Sequence, residues 1–205
     1  VKLSGLYAIT TPSQYLPQQV EAAIAGGARV IQYRDKSSDQ SLRLEQAQQL
    51  NRICSAAKIP LIINDDVELA ARVSAAGVHL GRDDIAFKNA RRDLGDDAII
   101  GISCYNDFDL ALQAQQHGAD YIAFGSFFAS PTKPLATKAD RALLQRAKQE
   151  LGIPVVAIGG ITPDNGKLLI EAGADMLAVI SALFAQADVE QASRSFAQLF
   201  SEEKQ

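Results

Sequence analysis

The stretch Ala172-Gly173-Ala174-Asp175-Met176-Leu177-Ala178-Val179-Ile180-Ser181 sets a helix stop, a short apolar run and a hydroxyl in that order. Glycine ends helices because it accepts the left-handed conformation without a Cβ clash. The apolar run that follows reads as a buried strand over Met176 to Ile180. The same order recurs upstream. Ala25-Gly26-Gly27-Ala28 precedes Val30 to Tyr33, Ala76-Gly77-Val78 leads into Val78 to Leu80, and His117-Gly118-Ala119-Asp120 precedes Tyr121 to Phe124. Leu6 to Thr10, Leu61 to Ile63, Ile99 to Ile102 and Val155 to Ile158 supply four more runs of the same kind. Between them, segments such as Gln40 to Ala57, Phe108 to His117 and Ala139 to Leu151 carry apolar residues at three- and four-residue spacing, the mark of helices that cover a sheet. Eight strand–helix units in 205 residues average about 25 residues each, near the lower limit for a barrel of this type. The pattern predicts an α/β protein, a (β/α)8 TIM barrel forming one domain over 1–205, with an open doubly wound sheet as the alternative.

Composition narrows the partners. With 20 Lys+Arg against 24 Asp+Glu, the net charge of −4 is the opposite of what displacing counterions from nucleic acid needs. Two cysteines far apart, Cys54 and Cys104, fit neither a disulfide framework nor a zinc knuckle and suit a reducing cytoplasm. No apolar run reaches the roughly 18 residues needed to cross a bilayer, and Val1-Lys2-Leu3-Ser4-Gly5 lacks a secretory pattern. The expectation is a cytoplasmic protein acting on small molecules, with no nucleic-acid or membrane partner; a homo-oligomer is left open.

In such barrels chemistry belongs at the C-terminal ends of the strands. After strand 2, Gln32, Arg34 and Lys36 share a parity and point to one side if the strand continues, two cations and an amide suited to a polyanion. The alternative is a surface ion-pair loop. After strands 3 and 4 come Asn64-Asp65-Asp66 and Gly81-Arg82-Asp83-Asp84, carboxylates that suit magnesium, which takes one or two of them plus water and phosphate oxygens. Asp65 and Asp84 are preferred as ligands, because Asp66 and Asp83 precede helical stretches and read as caps. Strand 5 delivers Ser103. His79 and His117 follow apolar patterns and read as structural, so no nucleophile–base pair is apparent. The long segment after strand 6 carries Ser130, Thr132 and Lys133, with Phe127 and Phe128 able to exclude water, although such clusters also make ordinary turns. Gly159-Gly160-Ile161 after strand 7 and Ile180-Ser181 after strand 8 occupy the recurrent phosphate position of these barrels; a tight turn capped by Thr162 or Asp164 is the alternative. A phosphate pocket beside a cationic cluster with carboxylates for magnesium points to group transfer onto a phosphorylated acceptor, with pyrophosphate leaving.

Taken together, Gln-x-Arg-x-Lys at 32–36, Asn-Asp at 64–65, Val-His-Leu-Gly-x-x-Asp at 78–84, Gly-x-Ser at 101–103, Thr-Lys at 132–133, Gly-Gly-Ile at 159–161 and Ile-Ser at 180–181 resemble the thiamine phosphate synthase family over nearly the whole chain. The resemblance implies a magnesium-dependent transferase joining an aminopyrimidine methyl diphosphate to a thiazole phosphate by a dissociative route. It further implies that Gln32 and Ser103 contact the pyrimidine and that Arg34, Lys36, Asn64 and Lys133 hold the diphosphate. Asp65 and Asp84 are the implied metal ligands, Ser130 and Thr132 face the thiazole phosphate and reacting groups, and Gly160, Ile180 and Ser181 bind that phosphate. Arg34, Lys36, Ser103 and Lys133 form the implied catalytic set. Two departures stand out: Ser130 where the family often has Thr, and Asp66 where many members have Arg. A related thiazole tautomerase is expected to carry a His where this chain has Ser126, and a non-catalytic phosphate sensor would not need the rim carboxylates.

Overall fold

Successive side chains of a strand point to opposite faces, and here both faces of nearly every strand are apolar, so each strand must be covered twice. A computed structural model describes residues 3–81, 84–129 and 139–201, and the backbone alone of 84–88. In chain order the elements are Gly5–Ile9 (β1), Leu16–Ala25 (α1), Ala28–Tyr33 (β2), Gln40–Ala57 (α2), Leu61–Asn64 (β3), Val67–Val73 (α3), Gly77–Leu80 (β4), Asp84–Leu94 (α4) and Ile99–Tyr105 (β5). Phe108–Gln116 (α5), Tyr121–Gly125 (β6), Arg141–Glu150 (α6), Val155–Ile158 (β7), Pro163–Glu171 (α7), Met176–Val179 (β8), Ser181–Phe184 (α8) and Val189–Leu199 (α9) follow. Each strand pairs in parallel with its sequence neighbour, and β1 closes on β8. The expected barrel is therefore the fold, and the doubly wound alternative is excluded.

The period-2 alternation divides the core in two. Leu6, Ala8, Ile31, Ile63, Val78, Ile100, Phe124 and their like face the helices, while Tyr7, Ile9, Val30, Ile62, Tyr121, Val156 and Met176 fill the barrel interior. Among the described helices α2, α3, α5, α6 and α9 each begin on an aspartate whose carboxylate accepts a first-turn amide, from Asp39, Asp66, Asp107, Asp140 and Asp188 respectively. No helix among the described residues is long and apolar enough to cross a membrane.

The Gly-Ala-Asp repeat lies at the opposite end of the barrel from the strand C-termini. Gly118 and Gly173 take the left-handed φ values of +90° and +114°. Asp120 Oδ2 then accepts from Ile100 N at 2.8 Å and pairs with Arg91 at 2.8 Å. Asp175 Oδ2 accepts from Val155 N at 2.9 Å, and its other oxygen pairs with Lys148 at 3.1 Å. Gly77 departs from the expected helix stop. It lies in β4, and Ser74 carries the left-handed turn at φ +52°. Glycine is needed at 77 for space, since a Cβ would sit 1.8 Å from the backbone oxygen of Ile99 on β5.

Candidate active site

All eight strands run the same way, so the residues after them meet at one rim. Asn64 ends β3, Asp65 follows it, Asp84 opens α4 beyond β4, Gly160 follows β7 and Ser181 opens α8 beyond β8. The carboxylate positions and the glycine–serine phosphate positions thus share one end of the barrel. Ser130, Thr132 and Lys133 lie outside the described residues, as do Arg82, Asp83 and the side chain of Asp84.

The β2 exit differs from the parity expectation. The β2 strand ends at Tyr33, so Gln32 is an inward residue while Arg34 and Lys36 belong to the loop. The cause is Thr10, fully buried at the end of β1: its amide donates to Gln32 O at 2.9 Å, and its Oγ1 accepts from Arg34 N at 3.0 Å, which ends the backbone ladder. Lys36 still borders a cleft of about 820 Å³ together with Asn64, Asp65 and Asp66. Arg34 lies outside that lining.

Asp65 adopts a left-handed φ of +62°, which aspartate tolerates better than most non-glycine residues. Its amide donates to His79 O at 2.9 Å, and Asn64 Nδ2 donates to its carboxylate at 2.7 Å. No group of three His, Cys, Asp or Glu side chains able to hold a metal occurs among the described residues. A rim carboxylate beside a carboxamide and an open cleft fits magnesium, which keeps several waters and is completed by substrate phosphates. Asp65 would hold it, with Asp84 as the second candidate by its backbone position.

Asp66 is fully engaged elsewhere, which answers its departure from the family's arginine. One oxygen caps α3 by accepting from Leu69 N at 2.8 Å, and the other pairs with Arg43 of α2 at 2.7 Å. Its charge is neutralised by a neighbouring helix and leaves Asp65 free to serve the cleft. Asp66→Ala should therefore cost about 1–2 kcal/mol, a cap plus a partly exposed ion pair. Differential scanning calorimetry should read this as a fall in Tm of roughly 3–6 °C, with turnover little changed.

At the far side of the rim, the glycines after β7 accommodate the stem after β6. A Cβ on Gly160 would lie 2.4 Å from Ala129 O and 2.8 Å from Phe128. Phe128 N donates to Gly159 O at 3.0 Å, and Ala139 N donates to Ser126 O at 2.8 Å. Ser126 Oγ donates to Phe128 O at 2.7 Å, so this serine braces the loop and is not poised as an acid or base. Thr162 caps α7 as the turn alternative anticipated, with its amide donating to Asn165 Oδ1 at 2.9 Å.

The barrel floor holds what sequence reading missed. Gln32 Nε2 donates to Tyr7 Oη at 2.7 Å, Tyr7 Oη meets Tyr121 Oη at 2.7 Å, Tyr121 Oη meets His79 Nδ1 at 3.0 Å, and His79 Nε2 meets Ser103 Oγ at 2.8 Å. His79 is thus a satisfied interior residue, as expected, but its partner Ser103 is one of the proposed ligand contacts. Inward parity is the signal that would have found the set: Tyr7, Gln32, His79, Ser103 and Tyr121 all occupy inward strand positions. Burial holds both phenols protonated by pushing them above their ordinary range. Burial also lowers His79 to about 4, against a smaller upward pull from Asp65.

That depression makes stability pH-dependent. The unfolded imidazole binds a proton below about 6.5, whereas the folded one stays neutral down to about 4. Stability is complete above pH 6.5 and falls as the pH drops through this window, by about 2 kcal/mol given the partly open ring. Tm measured between pH 7 and 4.5 should fall more steeply for the native chain than for His79→Gln.

Comparison with known proteins follows the same lines. A family model described as thiamine monophosphate synthase matches residues 6–183. The thiamine-phosphate synthase of Thiobacillus denitrificans is 53% identical over 202 residues, 97% of this chain and 96% of that protein. That of Marinobacter nauticus is 54% identical over 202 residues, 96% and 90% respectively. The solved thiamine phosphate pyrophosphorylase of Pyrococcus furiosus superposes with a TM-score of 0.86 at 33% identity, covering 97% of this chain and 96% of its own.

Proposed function

The chain belongs to the thiamine monophosphate synthase family and is a transferase, and from that premise we propose that it joins 4-amino-5-hydroxymethyl-2-methylpyrimidine diphosphate to 4-methyl-5-hydroxyethylthiazole phosphate, releasing pyrophosphate. The observation that carries this reading is the shared rim: Lys36, Asn64 and Asp65 border one cleft at the same barrel end as Gly160 and Ser181.

Gln32 and Ser103 orient the aminopyrimidine from the floor. Arg34, Lys36, Asn64 and Lys133 hold the diphosphate and receive the charge that builds on its bridging oxygen as the C–O bond lengthens. Magnesium, when bound at Asp65 and Asp84, supplies further neutralisation of that leaving group. The amino group feeds electrons into the ring, so the methylene carbon carries its cation without an enzyme nucleophile, in keeping with a floor whose histidine is already engaged. Ser130, Thr132, Gly160, Ile180 and Ser181 place the thiazole phosphate so that the ring nitrogen meets that carbon. Phe127, buried beside the rim, and Phe128 restrict water from capturing the cation first.

Incubation with both substrates and magnesium, with detection of thiamine phosphate and pyrophosphate in equal amounts, tests the proposal; pyrophosphate alone, or neither product, overturns it. Within it, Ser181→Ala should raise the KM for the thiazole phosphate roughly tenfold, the worth of one hydrogen bond to a charged group. The KM for the pyrimidine diphosphate should stay within about twofold, as two-substrate kinetics would show.

A further inference from the structure

We propose that Gln32, Tyr7, Tyr121, His79 and Ser103 form one directional hydrogen-bond relay, in which the two tyrosines and His79 are positioning residues that couple the face Gln32 offers a ligand to the face Ser103 offers it. The inference rests on the functional reading above, in which the two end residues touch the aminopyrimidine.

The argument is a count of hydrogens. Four contacts of 2.7, 2.7, 3.0 and 2.8 Å link the five groups, and each needs one hydrogen. The three inner groups own one apiece: a phenol, a second phenol and a neutral imidazole. Three hydrogens cannot fill four contacts, so at least one end of the chain must donate inward. Were both ends to donate, one inner hydrogen would be left in the buried interior without an acceptor, so the network is fully satisfied only when the other end accepts. With Gln32 Nε2 turned to Tyr7, each hydrogen passes onward: Tyr7 to Tyr121, Tyr121 to His79 Nδ1, and His79 Nε2–H to Ser103 Oγ. The sense of the relay is set by the Gln32 amide, whose nitrogen and not its oxygen meets Tyr7.

Ser103 keeps its own hydrogen for a ligand, and the amide atom of Gln32 not used by Tyr7 is its oxygen. The floor then offers an acceptor at β2 and a donor at β5. A neutral aminopyrimidine presents the complement, an N–H on the exocyclic amine and a lone pair on a ring nitrogen. Its oxo analogue presents the reverse, and accepting it would require every hydrogen of the relay to turn together. The relay is thus a specificity device that separates amino from oxo heterocycles through residues that do not touch the ring. Cutting it in the middle frees the two ends to turn independently.

Two measurements test this. The chain holds two histidines, so nitrogen NMR of the ligand-free protein, assigned with His117→Gln, reads the His79 tautomer directly. The Nε2–H form is expected, and an Nδ1–H form or an even mixture overturns the relay. Calorimetry without the thiazole phosphate then compares binding of the 4-amino and 4-oxo pyrimidine methyl diphosphates. The native protein should prefer the amino form by about thirtyfold or more, the scale of a buried polar mismatch. Tyr121→Phe should shrink that ratio to about threefold or less, with Tyr7→Phe as a second cut should the first variant fold poorly. An unchanged ratio in the cut variant overturns the proposal. Failure of the native protein to form thiamine phosphate would instead sink the functional reading, and the tautomer measurement stands apart from it.

Discussion

Asp65→Ala is expected to lower turnover by about a hundredfold or more while leaving the affinity for the thiazole phosphate within about twofold. The carboxylate stands at the exit of β3, fixed by the hydrogen bond its backbone amide donates to His79 O and by the carboxamide of Asn64. It faces the cleft where the diphosphate is proposed to sit. Removing it takes away a group needed when charge builds on the leaving oxygen, a loss that falls on the transition state more than on ground-state binding. The thiazole phosphate belongs to the β7–β8 side of the rim and should not register the change. Single-turnover kinetics at several magnesium concentrations, set beside equilibrium binding of the thiazole phosphate, measure both quantities. Equal losses in the two would refute the division of the rim into two anion sites.

Gly101→Ala is expected to destabilise the protein by about 3–5 kcal/mol, the range of overpacking aggravated by loss of a buried polar network. A Cβ at this β5 position would lie 1.9 Å from Tyr121 Cζ and 2.3–2.4 Å from two further ring carbons. The ring has nowhere to retreat. Its hydroxyl is held by Tyr7 and His79, its face stacks on His79 at 5.6 Å and 19°, and it meets the Tyr7 ring edge-on at 5.8 Å and 81°. Urea unfolding would read the loss, and any protein that still folds should bind the pyrimidine diphosphate poorly, since Ser103 hangs from the same network.

How much of this could be read from residues alone depended on the range of the interaction involved. The strands were legible because burial on both faces leaves uninterrupted apolar runs, and Val155–Ile158 matches its expectation residue for residue. The α2 helix, Gln40–Ala57, does likewise. The exit of β2 was not legible, because whether the strand continues past Tyr33 is decided by Thr10, the residue that follows β1. The same holds for Gly77, whose neighbour Ile99 is distant in sequence. Asp66 could be recognised as a cap from its local pattern, but its pairing with Arg43 spans two helices. The rim positions were readable from the rule that strand C-termini share one end. The floor was not, because five polar side chains on five strands acquire meaning only once the barrel closes.

The aspartates at the foot of the barrel bear on recombination. Asp120 grips the second amide of the strand before its own and Asp175 the first, so β5 is stitched to β6 and β7 to β8 by side chains as well as by backbone. The seam between β6 and β7 carries no such carboxylate from this repeat. Hybrid barrels assembled from related chains therefore have a natural joint there, and a crossover at that point hands each stitched pair on intact.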